Sequence, residues 1–115
     1  MTTKFERFWS ICDHDNIIAE KVIETIRHDF PQYVEDIDEA ILKNQPDVLF
    51  SCFHKVKGSI SYLGYKKEAD ALYSLEKMSK ESISPQLKTK YRPLRKFILN
   101  LPDILAQEVN NTRQQ

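Results

Sequence analysis

The chain has 115 residues, long enough for one domain with its own core and no need of disulfides or metals to hold it. Its seventeen Lys and Arg are cancelled by seventeen Asp and Glu, so no surplus of cations exists to neutralise phosphates, which argues against nucleic acid as a partner. No apolar run approaches the roughly 20 residues that cross a bilayer, and Met1 to Glu6 lacks the apolar core of a secretory signal; a cytoplasmic protein without membrane attachment is expected.

Two glycines in a chain rich in Leu, Ile, Glu and Lys predict an all-α class. A short first helix within about residues 1–13 places Phe5, Phe8, Trp9 and Cys12 on one stripe, suited to covering the end of a bundle as a lid. Asp13 or Asp15 caps a long second helix, which turns Ile18, Val22, Ile26, Phe30, Ile37 and Ile41 inward, kinks at Pro31 and stops near Asn44. The third helix opens at Gln45 or Pro46, proline being tolerated in the first turn. Its seam is Leu49, Phe53, Val56, Ile60 and Leu63, and Gly64 supplies a left-handed cap.

A fourth helix from about Lys66 to Lys80 uses Ala69, Leu72, Leu75 and Met78 or nearby positions. Ser84 and Pro85 then start a fifth, as cap and first helical residue. Its stripe is Leu87, Tyr91, Leu94, Ile98, Leu101 and Leu105; Pro93 and Pro102 fall off it, which predicts bends on the solvent side. Four long helices joined by short connections predict an antiparallel four-helix bundle over about 14–108, with the first helix as lid and a polar tail at 109–115. The whole chain, 1–115, reads as a single domain, and a monomer is expected because no second uninterrupted apolar stripe is evident. Cys12 and Cys52 follow no CxxC or Cys/His spacing and are expected as reduced thiols, with no metal or cofactor bound.

The chemistry concentrates in His54-Lys55-Val56-Lys57-Gly58-Ser59. If Phe53 faces the core, His54 is rotated about 100° from it and reaches solvent. A helix-interior glycine costs roughly 1 kcal/mol against alanine, so Gly58, one turn from His54, asks for a reason: a bare backbone patch lets something approach the imidazole. Lys57 can reach a negative group placed on the ring. Phe50, Ser51 and Ser61 share that face and are candidate partner-docking residues, Phe50 as an aromatic anchor or as part of the core. Some of Phe5, Phe8 and Trp9 extend the patch if the lid lies near His54. The lone histidines His14 and His28 read as solvated surface residues.

This segment resembles the histidine-containing phosphotransfer (HPt) domain of multistep phosphorelays, whose pattern of histidine, any residue, apolar residue, lysine, glycine and small residue is followed by leucine and glycine, here Leu63-Gly64. The likeness extends more loosely over the chain, in helix order, the proline of the second helix and Leu75-Glu76 in the fourth. Phe53 stands where the family often has alanine; Glu68 stands where an apolar residue is common, which suggests a fourth helix that begins later or is rotated. The resemblance implies a phosphotransfer protein rather than a self-sufficient enzyme. His54 would accept a phosphoryl group from a receiver-domain phospho-aspartate, supported by Lys57 and Gly58, and pass it to another receiver. It implies receiver (response regulator) domains and a hybrid histidine kinase as partners, the receiver bringing the aspartate and Mg²⁺.

Other classes fit less well. A helical adaptor that binds receivers or kinases without being phosphorylated is the alternative, marked by loss of His54, Lys57 or Gly58, all of which are present. A histidine-kinase dimerisation hairpin follows its histidine with an acidic residue and then a proline, whereas Lys55 follows His54. A di-iron bundle would need Glu/His pairings that do not occur.

Overall fold

The computed structural model describes residues 4–113. Five helices run in chain order: α1 (Glu6–Ile11), α2 (Asn16–Leu42), α3 (Pro46–Tyr62), α4 (Lys66–Ser79) and α5 (Pro85–Arg113). The helix ends follow local chemistry. Asp15 caps α2 by accepting from the Ile17 and Ile18 amides at 2.7 and 3.1 Å, and the Ser84 hydroxyl accepts from the Leu87 amide at 3.1 Å ahead of Pro85. Both α2 and α3 end in the two-bond left-handed motif that satisfies their last carbonyls, with Asn44 (φ 53°) and Gly64 (φ 94°) at the left-handed position.

The four long helices form a closed square, α2 packing on α3 and α5, and α4 on α3 and α5. Connections of a few residues force neighbours to run antiparallel. Across α3 and α4 the register is visible in side chains: Phe50 meets Lys80, His54 meets Glu76, and Lys57 meets Tyr73. The expected seams of α3 and α5 are buried throughout, including Leu49, Phe53, Val56, Ile60 and Leu63. Each large side chain so removed from water contributes roughly 1.5–3 kcal/mol. Phe53 packs edge-on against Tyr91, ring centroids 5.7 Å apart, so the larger residue at this position is absorbed in the core. The α4 helix begins at Lys66, not later, with Glu68 half-buried.

Several expectations are corrected. On α2 the buried residues are Ala19, Ile23, Ile26, Phe30, Val34, Ile37 and Ala40, while Ile18 is exposed and Val22 and Ile41 are only half-buried. Successive steps of four drift by about 40° each on a helix of 3.6 residues per turn, so Ile18, Val22, Ile26 and Phe30 cannot all share one face. Pro102 is buried rather than on the solvent side, since it lies only about 40° from Ile98 and 60° from Leu105 on the helical wheel. Nor does a tail begin at 109: α5 continues to Arg113, Val109 is buried, and Arg113 pairs with Glu20 of α2. Residues 114–115 of that expected tail, and 1–3 of the expected lid, lie outside the described residues.

The lid is present, and it closes the Gly64 end of α3. Phe8 is fully buried, Trp9 Nε1 donates to Glu108 Oε2 at 2.7 Å, and Arg7 Nε donates to the Tyr62 carbonyl at 3.2 Å. A Cβ on Gly64 would come within 2.5 Å of Arg7 Cβ, so this glycine serves both the turn and the lid's close approach. Tyr62 is eight residues, roughly 12 Å, along α3 from His54. Phe5, Phe8 and Trp9 therefore brace the bundle end and do not extend the face around His54.

Candidate functional site

His54 stands on the outer face of α3 with 67% of its side chain exposed. Its Nδ1 lies 2.5 Å from Oε1 of Glu76 on α4, and Lys57 Nζ donates to the other oxygen, Oε2, at 2.9 Å. Glu76 itself is buried, its side chain 4% exposed. It belongs to the α4 stripe of Leu72, Leu75 and Ser79 that faces the bundle, so the carboxylate approaches the α3 surface from beneath.

Burial pushes the Glu76 carboxyl up, but hydrogen bonds from Lys57 and His54, with the lysine charge, outweigh it and leave its pKa below the ordinary glutamate value. Glu76 is therefore ionised at neutral pH and accepts only. The hydrogen in the His54–Glu76 contact must then sit on Nδ1. In the neutral ring this leaves the lone pair on Nε2, the nitrogen away from Glu76. Lys57 Nζ is 3.4 Å from Nδ1, and because both are donors the two meet through the shared carboxylate rather than through a bond of their own.

The neighbours fall into two groups. Phe50, half-buried, stacks on His54 with ring centroids 6.4 Å apart and 13° between planes. It is neither fully core nor fully free. Ser51 and Ser61 are exposed, one turn before and two turns after His54. Tyr73 is a site neighbour on α4 that motif reading does not single out; Glu76 enters that reading only in the Leu75-Glu76 pair, although a glutamate beside the buried Leu72 and Leu75 is itself a signal.

A Cβ added at Gly58 would meet nothing within 4 Å. The fold therefore does not require glycine here. Gly58→Ala is expected to raise stability by about 0.5–1 kcal/mol, measured by urea denaturation, through the gain in helix propensity. The same substitution should slow any reaction in which a partner closes over His54; faster or equal turnover would remove Gly58 from the site.

Among the described residues no group of three or more His, Cys, Asp or Glu side chains is placed to hold a metal ion, and no helix is long and apolar enough to cross a membrane. Cys12 and Cys52 are free thiols, and burial pushes both up. Neither the curated proteins nor the solved structures give a match to this chain. A family model does match: that of the Hpt domain, over residues 21–114, a span that takes in α3, α4, α5 and most of α2 but leaves out the lid. With a match over most of its length, and an exposed histidine set by the lysine and glycine of the motif, the chain belongs to the Hpt domain family, the phosphotransfer modules of two-component signalling.

Proposed function

We propose that this chain is a phosphorelay intermediate that takes a phosphoryl group onto His54 from the phospho-aspartate of one receiver domain and delivers it to the aspartate of another. The observation that carries the reading is Glu76 holding Nδ1 from below while His54 stays largely exposed. In the forward step the Nε2 lone pair forms the N–P bond as the acyl O–P bond breaks, and the aspartate carboxylate leaves with that electron pair. No proton has to move. The ring, still protonated at Nδ1, gains positive character, which the Glu76 carboxylate stabilises. Lys57 has three donors and uses one on Glu76, so others can turn to the phosphoryl oxygens.

In this reading the receiver contributes its aspartate, acidic residues and Mg²⁺, and the Hpt chain contributes a positioned nucleophile with charge neutralisation. The receiver of a hybrid histidine kinase is the upstream donor. Residues 1–115 act as one unit, a monomer in the cytoplasm, with Phe50, Ser51 and Ser61 on the docking side. The test is incubation with a panel of phosphorylated receiver domains and Mg²⁺. Label that is lost in acid and kept in base, with a phosphorus resonance coupled to Nε2 of His54, is the expected result. No label from any donor would instead place the protein among non-phosphorylated adaptors.

A further inference from the structure

Although the chain is neutral overall, the seam on which His54 lies carries two aromatic platforms against which three lysines rest. On one side Lys80 Nζ sits 4.9 Å from the Phe50 ring, the same ring that stacks on His54. On the other, Lys57 and Lys77 approach Tyr73 at 4.9 and 4.5 Å from its centroid. Lys57 is neutralised by Glu76, whereas neither Lys77 nor Lys80 joins an ion pair among the described residues. The exposed acids of these helices, Asp47 and Asp70, stand about two turns away from His54 and Glu76 along their own helices, and Glu81 follows Lys80 in the connection to α5.

We infer that Lys77 and Lys80, held over Tyr73 and Phe50, form a cationic docking edge at the C-terminal end of α4 that receives the acidic rim around the phospho-aspartate of the partner receiver. A free lysine sweeps a wide volume and loses that freedom on docking; an ammonium already resting on a ring loses less, so its attraction survives in the complex. The two charges bracket His54 along the α3–α4 seam and act before contact, by drawing a rim of carboxylates toward the nucleophile. The edge rests on the phosphorelay reading above, and it assigns roles to Tyr73, Lys77 and Lys80, which lie outside the His54 motif.

The test measures the second-order rate constant of phosphoryl transfer from a phosphorylated receiver as salt is raised. Lys77→Gln with Lys80→Gln should lower it about tenfold at low salt, leave the saturated transfer rate unchanged, and converge with wild type near 1 M salt, where the Debye length is about 3 Å. Lys77→Arg with Lys80→Arg should restore the rate, and Lys88→Gln with Lys96→Gln, on α5, should change it little. A wild type that transfers normally while the α4 pair behaves like the α5 pair overturns the docking edge alone. A wild type that takes no label from any receiver overturns the phosphorelay reading and the edge with it.

Discussion

His54→Gln is expected to abolish phosphoryl uptake while leaving the bundle folded, with a change in unfolding free energy of less than about 1 kcal/mol. The two halves of this expectation come from one geometry. Two-thirds of the side chain is in solvent, so little apolar burial is lost. Glutamine keeps an N–H donor for Glu76, which limits the cost to the carboxylate, but its amide has no nucleophilic lone pair to form an N–P bond. Transfer assays with receiver donors, read beside thermal or urea unfolding, check both halves. Residual acid-labile label on the variant would place the acceptor on another histidine, His14 or His28.

Glu76→Gln should show the converse balance, a slowed reaction together with a weakened fold. Here a buried carboxylate gives up two charge-assisted hydrogen bonds, each of a kind that contributes about 1.5–3 kcal/mol. His54 and Lys57 both reach water and recover part of that loss, so a net destabilisation of about 1.5–3 kcal/mol is expected at pH 7. Transfer should fall roughly 10–100-fold, because the ring loses the anion that fixes its tautomer and supports its developing charge. The effect carries a pH signature. The folded-state pKa of Glu76 lies below the unfolded value, so its contribution is complete above the ordinary glutamate range and disappears as pH falls through the folded pKa. Urea titrations of wild type and variant should therefore differ at pH 7 and draw together in strong acid; a gap that persists there would mean the loss is one of packing rather than charge.

The candidate site residues His54, Lys57 and Gly58 are legible because they lie within one turn of a single helix, where spacing translates directly into neighbourhood. The seams of α3 and α5 were legible for a similar reason: steps alternating between three and four hold a constant phase, and every residue so assigned is buried. On α2 the steps of four carried Ile18 off the core face, and the correct seam runs through the less conspicuous Ala19 and Ala40. Glu76 stands out in the sequence only as part of the Leu75-Glu76 pair. Its role depends on the offset at which α3 and α4 pack, and no periodicity within either helix encodes that offset. The lid's position was hidden likewise, since Trp9 finds Glu108 from the far end of the chain.

The antiparallel register of α3 against α4 has a consequence for inheritance. His54, Lys57 and Gly58 come from one arm of that hairpin and Glu76 from the other, while α2 and α5 close the core on which both arms pack. What must be transmitted between descendants is thus a single translational offset between two rods. A slip of one helical turn, about 5.4 Å, between the two rods would part His54 from Glu76 even with every motif residue kept.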